Sequence, residues 1–265
     1  MDSIRSDVHQ DPSKVAANTN FSTFTILPAF HPEPEGFAGL VLAQTARRVF
    51  LTDHDAGVLC NCQRNVEANA SVFRHGPGVA LVRHLDLFHA VPSDPGNNPC
   101  AKRHSSNSCA DADDEAQETF QWCPEDLADL ADLQVILAAD IIYDDDLTEA
   151  FMRCMESFLT PDPSRPGLQR TLLLTTEKRF NITNYDLAPQ PHAYLFFRDL
   201  FSVEGEVGGG LQGRKLDTSA IPQRFEYLRS KHLELWELKW SPHQGVQCQS
   251  LSADPERVMN IASIP

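Results

Sequence analysis

The sequence predicts an α/β protein built on a parallel, doubly wound sheet. Between residues 36 and 201, short apolar runs that suit buried strands alternate with amphipathic stretches that suit helices. This alternation is typical of parallel sheets whose strands are joined by crossover helices. The run at 134–140, QVILAAD, is almost wholly apolar, as expected of a strand covered on both faces, and 170–177 repeats that pattern. A strand-rich end follows the alternating region.

The predicted elements follow in order along the chain. We expect a short strand at 23–27, helices at 36–46, 55–69, 146–159 and 191–201, and strands at 47–53, 78–86, 134–140, 170–177 and 232–240. Asp55 suits the N-cap of the second helix. Residues 89–120 are rich in Pro, Ser, Asn, Asp and Glu, which predicts a long mobile insertion that folding does not need. Residues 241–265 are expected to form a loose tail.

Charge and cysteine content narrow the classes of partner. The formal net charge of −15 argues against nucleic acid, whose backbone requires clustered Lys and Arg, and is compatible with a basic protein. Seven cysteines without a C-x-x-C pair predict neither a disulfide framework nor a metal site. The N-terminus lacks an apolar signal core, and no run suits a membrane span. We therefore expect a reduced protein of the nucleus or cytoplasm. We also expect a monomer.

Acidic residues end four of the predicted strands: Asp53, Asp86, Asp140 and Glu177. In a doubly wound sheet, ligands bind beyond the carboxyl ends of the strands, so these acids are expected to line one ligand-binding edge. An acid at the position of Asp53 commonly receives ribose hydroxyls. It could instead cap the next helix, although Asp55 is better placed for that role.

Asp140 is followed by Tyr143, and this pair has two interpretations. A carboxylate at a strand end can orient a cationic group, with a phenol nearby as hydrogen-bond partner. The same spacing also suits a solvated strand end beside a core tyrosine. The acids that follow, Asp144 to Asp146, have a local explanation, because they suit the cap and the positive dipole end of the helix at 146–159.

Two further motifs carry little functional signal. Gly208, Gly210 and Gly213 match G-x-G-x-x-G, but the match follows a helix and precedes no helical pattern, so we interpret it as a flexible loop. The charged triplet at 177–179, Glu-Lys-Arg, leaves a buried strand. Charged residues at such a position are usually solvated.

Four segments in this order resemble the family 16 seven-strand methyltransferases. They are VFLTDHDAGVLCNCQRNVEAN, VILAADIIYDDDLTEAF, LLLTTEKRFNIT and LELWEL. The resemblance covers about 36–240, apart from 89–120. It implies a Rossmann-like sheet with helices on both faces, S-adenosylmethionine as cofactor, and a basic, lysine-bearing protein as substrate. Residues 1–35 do not match the family.

The resemblance also implies roles for particular residues. Asp53 would hold the ribose hydroxyls of the cofactor, and Asp86 would lie against the adenine. Ala139 would pack near the cofactor. Asp140 and Tyr143 match the D-x-x-Y signature of the family and would line the mouth of the site that receives the target lysine.

The chain departs from the family pattern at two points. Leu87 stands where an aromatic residue usually follows Asp86. The family's first strand and glycine-rich loop are expected to be degenerate or missing, since FHPEPEG supplies only Gly36 and two prolines. This departure predicts weak cofactor binding or none, and it leaves a second hypothesis open. The chain could be a catalytically silent interaction module, or a truncated form, that keeps the fold without the cofactor loop.

Overall fold

The structure, a computed structural model, describes five helices and eight strands. The described residues are 22–26 (backbone only), 36–89, 119–182, 188–205, 209–219, 221–222 and 230–242. The helices are α1 Phe37–Ala43, α2 Ala56–Asn69, α3 Pro124–Ala131, α4 Asp145–Leu159 and α5 His192–Asp199. The strands are β1 Ser22–Ile26, β2 Arg48–Asp53, β3 Ala80–His84, β4 Leu133–Ala139, β5 Thr171–Glu177, β6 Ser202–Val203, β7 Gly210–Leu216 and β8 Leu233–Ser241.

All eight strands form one sheet in the order β3-β2-β1-β4-β5-β8-β7-β6. Strands β1 to β5 pair in parallel, while β8 is antiparallel to both of its neighbours, β5 and β7. The chain winds outward from β1 in two directions, first to β2 and β3 and then to β4 and β5. This is the predicted doubly wound α/β fold, which is confirmed.

The first strand is present, so the expectation that it would be degenerate or missing was wrong. Strand β1 lies in the centre of the sheet, where Phe24 is in register with Phe50 on one side and with Ile136 on the other. Its sequence, STFTI, is rich in the β-branched and aromatic residues that strands favour. The predicted non-matching segment 1–35 therefore contributes a strand to the sheet, and the boundary at residue 36 falls after it. The loop at 27–35 lies outside the described residues.

Helices cover both faces of the sheet, as predicted. Along β2 the buried side chains alternate, because Phe50 joins one core and Val49 and Leu51 join the other. The core around Phe50 includes Phe151 of α4 together with side chains of α3 and α5. The opposite core includes Leu59 of α2 together with side chains of α1. Such alternation follows from the two-residue period of a strand.

The four acidic strand ends lie at one edge, which confirms the prediction made from them. Asp53 and Glu177 are the last residues of β2 and β5. Asp140 directly follows β4, and Asp86 lies two residues after the end of β3. Because these strands pair in parallel, their carboxyl ends share an edge of the sheet.

The predicted helix caps are also found. The Asp55 carboxylate accepts a 2.9 Å hydrogen bond from the backbone N–H of Val58 at the start of α2. Asp144 caps α4 in the same way through the N–H of Leu147, at 2.9 Å. Asp145 and Asp146 occupy the first turn of α4, where negative charge stabilises the helix dipole. Within the described ranges, no helix is both long and apolar enough to span a membrane.

The glycines read as a flexible loop belong partly to a strand, so that interpretation was wrong for the described residues. Gly210 begins β7 and Gly213 lies within it, while Gly208 is outside the described residues. A Cβ on Gly213 would lie 2.0 Å from Cε2 of Phe201. Gly213 therefore makes room for the aromatic side chain of Phe201, which lies directly against the strand.

The predicted C-terminal boundary of the insertion, residue 120, lies too far along the chain. Phe120 is buried, its carbonyl accepts a 2.8 Å hydrogen bond from the N–H of His84, and it packs in the core with α2. Nearby, Trp122 donates from Nε1 to the carbonyl of His84 at 2.7 Å, and its ring centre lies 5.1 Å from that of Phe50. Residues 119–122 thus attach to the end of β3. Residues 90–118 lie outside the described residues.

Replacing residues 90–118 with a short Gly-Ser linker is expected to change the melting temperature by less than about 4 °C, roughly the effect of 1 kcal/mol in a domain of this size. The matched control is a deletion of 89–120, which also removes Phe120 and is expected to cost about 3 kcal/mol or more because a buried aromatic side chain is lost. Circular dichroism on heating measures both. A large loss in the first variant would mean that 90–118 contributes packing.

Candidate functional site

The candidate site lies at the carboxyl edge of the sheet, where the winding direction reverses. Strand β1 has β2 on one side and β4 on the other, and doubly wound sheets bind ligands in a crevice beyond the strand ends at such a reversal point. Asp53 marks the β2 side of the crevice and Asp140 marks the β4 side. Gly36 lies at the start of α1, the helix that connects β1 to β2.

Asp53 carries an unsatisfied carboxylate oxygen. Its side chain is only 1% exposed, and its Oδ1 accepts a 2.9 Å hydrogen bond from the N–H of Asp55. Oδ2 is buried and has no hydrogen-bond partner among the described residues. Burial raises the pKa of this carboxyl from 3.8 to about 6, against the opposing effects of nearby N–H groups and of His54. A buried acceptor without a donor is costly, and a ligand hydroxyl would satisfy it.

Gly36 occupies a position that only glycine fits. Its φ is +80°, in the left-handed region that glycine adopts without strain. A Cβ there would lie 2.4 Å from Cδ2 of Leu51 on β2. The backbone therefore turns into α1 directly against β2, two residues from the strand end at Asp53.

Asp86 and Leu87 follow β3 at the outer end of the crevice. The Asp86 carboxylate accepts from the N–H of Phe88 at 2.9 Å and pairs with Nδ1 of His89 at 2.7 Å. Although partial burial raises the pKa of Asp86, these partners outweigh burial and lower it. Leu87 is half-buried and packs on the core with Phe50. The aromatic side chain absent at position 87 occurs one residue later, where Phe88 is 58% exposed.

Asp140 has an unusual backbone conformation. Its φ is +50°, and it is the only non-glycine residue with positive φ in the described part of the chain. Asp tolerates this region better than most residues, but the conformation still costs free energy, and strained residues of this kind cluster at functional sites. The N–H of Asp140 donates to the carbonyl of Thr175 on β5 at 3.0 Å. Ala139, which precedes it, is exposed at the end of β4.

Asp140 and Tyr143 come together with a residue that the sequence did not single out. Nη2 of Arg179 lies 2.6 Å from both carboxylate oxygens of Asp140. The Arg179 guanidinium carbon lies 5.6 Å from the centre of the Tyr143 ring. Partial burial raises the pKa of the Tyr143 phenol, the charges of Asp140 and Asp53 raise it further, and Arg179 opposes them. Arg179 of the triplet 177–179 is therefore not simply solvated, contrary to the prediction. In the sequence, only its position at a strand end indicates that it could reach the site.

A buried acid beside the site was also missed. Glu234 of β8 is 5% exposed. Its four hydrogen-bond donors are Nζ of Lys178 at 2.8 Å, Nζ of Lys215 at 2.7 Å, the Tyr194 hydroxyl at 2.7 Å and Nε1 of Trp236 at 3.0 Å. Burial raises the pKa of Glu234, but these donors outweigh it and lower the pKa to about 2. Glu234 is in register with Thr176 of β5, so this network fixes the chain that enters the site at Arg179.

The described residues bring no three metal-ligating His, Cys, Asp or Glu side chains together. Glu177, the fourth predicted acid of the edge, is exposed at the end of β5. Four of the predicted residues fall into two groups. Gly36 and Asp53 lie on the β2 side of the crevice, and Asp140 and Tyr143 lie on the β4 side with Arg179.

Comparison with known proteins begins with family profiles and solved structures. No protein-family profile matches the chain. Among solved structures, it is similar to an S-adenosylmethionine-dependent methyltransferase from Clostridium acetobutylicum, with a TM-score of 0.42, 7% identity and coverage of 83% of this chain and 84% of that one. It is also similar to a putative methyltransferase from Streptococcus mutans in complex with SAH, with a TM-score of 0.38, 10% identity and coverage of 84% and 91%.

Comparison with curated protein sequences finds one particular relative in two organisms. The chain is 33% identical over 210 residues to mouse methyltransferase-like protein 22 and 31% identical over 210 residues to the human protein. These matches cover 78% of this chain but only 47% and 46% of the relatives. The chain thus spans about half the length of the curated relatives that it matches. The resemblance stated from the sequence is confirmed.

Proposed function

We propose that the chain forms the catalytic sheet of an S-adenosylmethionine-dependent methyltransferase of the family 16 type that acts on a lysine of a protein. The observation that carries the proposal is the buried, unpaired Oδ2 of Asp53 at the reversal point of the sheet. A ribose diol presents two hydroxyl donors to a carboxylate at this position. The similarity to methyltransferase-like protein 22 supports the same assignment.

The residues of the β2 side, together with Ala139 of β4, fit the cofactor. Asp53 would accept the ribose hydroxyls, and Asp86 with Leu87 would lie against the adenine beyond β3. Gly36 allows the backbone to approach closely because it carries no Cβ. Ala139, small and exposed at the end of β4, would leave room for the methionyl portion. When bound, S-adenosylmethionine supplies an electrophilic methyl group on a sulfonium.

The residues of the β4 side fit the target lysine. Asp140 would orient the amine through its carboxylate, and the Tyr143 hydroxyl would accept or donate a second hydrogen bond. The protein then contributes mainly position and electrostatics, because the amine nitrogen needs only to lie in line with the methyl group in its uncharged form. A lysine-bearing basic protein suits the net charge of −15. We further propose a monomer in the nucleus or cytoplasm.

One observation favours a second candidate, a catalytically silent module of the same fold. The segment 30–36, FHPEPEG, has two prolines where close backbone approach and N–H donors would serve a cofactor. Weak cofactor binding was predicted because both the first strand and the glycine loop were expected to be missing. Because β1 is present in the sheet, the absence of the first strand no longer argues against binding. We therefore expect measurable binding of S-adenosylmethionine.

Replacing Asp140 with asparagine is expected to leave the affinity for S-adenosylmethionine within about twofold and to lower methyl transfer to lysine by tenfold or more, the range of one positioned polar group. Calorimetric titration measures the affinity. Transfer of labelled methyl groups to a pool of single-lysine peptides measures the activity. Replacing the exposed Glu177 with glutamine is the matched control. Equal loss of affinity and transfer in the Asp140 variant would place Asp140 at the cofactor instead.

A further inference from the structure

The acid–phenol pair, Asp140 and Tyr143, already holds a cation of the same chain. Arg179 bridges the two carboxylate oxygens of Asp140 at 2.6 Å and lies over the Tyr143 ring at 5.6 Å. The ion pair joins residues 39 positions apart in the sequence. Both side chains keep contact with solvent, since 45% of Arg179 and 33% of Asp140 is exposed.

The sheet holds both partners in place without the ion pair. The N–H of Asp140 donates to Thr175 on β5. Next to Arg179, the N–H of Lys178 donates to the carbonyl of His232 at 3.1 Å, and Nζ of Lys178 binds the buried Glu234. The positions of the two backbones are therefore set by β5 and β8. What Arg179 adds to the site is a positive charge.

That charge has a chemical consequence for an amine that enters the pair. A bare carboxylate favours the protonated form of a neighbouring amine and raises its pKa, and a nearby cation has the opposite effect. A protonated amine has no lone pair to form the new N–C bond. The lysine must give one proton to water before its lone pair attacks the methyl carbon, while the C–S electron pair leaves with sulfur. A neutral site makes that loss of a proton easier.

We propose that Arg179 is the resident counter-ion of Asp140, which makes the acid–phenol pair electrically neutral and so selects the uncharged form of the target amine. The identity of that target as a lysine rests on the proposed function. The charged groups that act on Tyr143 are Asp140, Asp53, Asp144 and Arg179. Arg179 is the cation among them, so its removal leaves the charge of Asp140 unbalanced and makes the site more negative by one charge.

The first test needs no substrate. Fluorotyrosine, whose phenol ionises at lower pH than that of tyrosine, is incorporated into the protein and titrated by fluorine NMR, and the signal of residue 143 is assigned with Tyr143→Phe. In Arg179→Gln the pKa of residue 143 is expected to rise by about 0.5 pH unit or more. In Arg179→Lys, which keeps the charge, it should return toward the wild-type value. An unchanged pKa in Arg179→Gln overturns the proposal whether or not the protein is an enzyme.

The second test follows methyl transfer to single-lysine peptides across pH. In Arg179→Gln the rising limb of kcat is expected to move to higher pH, and Arg179→Lys should restore it. If Arg179→Gln instead lowers KM and leaves the pH profile of kcat unchanged, Arg179 only obstructs the binding of the peptide. That result overturns the proposal. If the phenol titrates as expected but the wild-type protein transfers no methyl group to lysine, the neutral pair stands and the proposed lysine specificity fails.

Discussion

Replacing Glu234 with glutamine is expected to lower the free energy of unfolding at neutral pH by about 3 kcal/mol. The figure corresponds to the lowering of the Glu234 pKa from 4.5 to about 2 in the folded protein. Glutamine keeps the size of the side chain but removes the charge that faces Lys178 and Lys215. The two ammonium groups would then face a neutral acceptor at a buried position, which is costly.

The pH dependence identifies the cause. Because the folded-state pKa of Glu234 is lowered, its contribution to stability is fully present above pH 4.5 and is lost as the pH falls toward 2. The difference in stability between wild type and Glu234→Gln should therefore shrink between pH 4.5 and pH 2. Urea denaturation at several pH values measures it. Glu177→Gln, at the exposed end of β5, is the matched control and should change stability by less than about 0.5 kcal/mol. If the difference in the free energy of unfolding between wild type and Glu234→Gln is the same at every pH, the loss of stability comes from packing and not from the charge.

Glu234 also shows where sequence patterns stop being informative. In LELWEL the leucines alternate with charged residues, and the alternation suggests that the leucines face the core. Instead Trp236 and Leu238 join the core and Glu234 is buried with them, while Leu233 and Leu235 are half-buried on the other face. This strand carries apolar residues on both of its faces, so alternation alone does not identify the inner residues. Of the four donors to Glu234, only Trp236 lies on the same strand, while Lys215 lies on β7, Tyr194 on α5 and Lys178 directly after β5.

Local signals predicted the parts of the site that depend on neighbouring residues. The caps at Asp55 and Asp144, and the strand ends at Asp53 and Asp140, follow from the nature of the residues within a few positions. The pairing of Arg179 with Asp140 depends on two strands lying side by side, which no local pattern encodes. The burial of Phe120 was missed because the polar stretch before it has no periodicity. Strand β1 is short and precedes a proline-rich segment, so its central place could not be inferred.

Replacing Asp53 with asparagine is expected to stabilise the cofactor-free protein and to weaken cofactor binding. The pKa of Asp53 is raised from 3.8 to about 6 because the side chain is buried. Because the pKa of Asp53 is higher in the folded than in the unfolded protein, its protonated form stabilises the fold. This contribution to the free energy of unfolding is fully present below pH 3.8 and is lost as the pH rises through 6. At pH 8 the buried charge thus costs up to about 3 kcal/mol. Asparagine avoids that cost and can still accept the hydrogen bond from the N–H of Asp55.

The stability difference should appear between pH 4 and pH 6 and stay constant above that range. Thermal unfolding at a series of pH values measures it. Asp55→Asn, two residues away, is the matched control because asparagine is as good an N-cap as aspartate. It should change neither the melting temperature nor the affinity for cofactor appreciably. A lower stability of Asp53→Asn at pH 8 would mean that Oδ2 has a partner outside the described residues.

The affinity for S-adenosylmethionine separates the two candidate functions. Hydrogen bonds to a charged acceptor contribute roughly 1.5 to 3 kcal/mol, so Asp53→Asn should weaken binding about 10- to 100-fold in calorimetric titration. Wild-type affinity should also fall below pH 6, where Asp53 gains a proton, and the asparagine variant should lack this dependence. If the variant is stabilised as expected while the wild-type protein binds no cofactor, the unpaired carboxylate is real but the pocket is not functional. That result would favour the silent module, because the cost of burying Asp53 would then persist in a protein that no longer uses it.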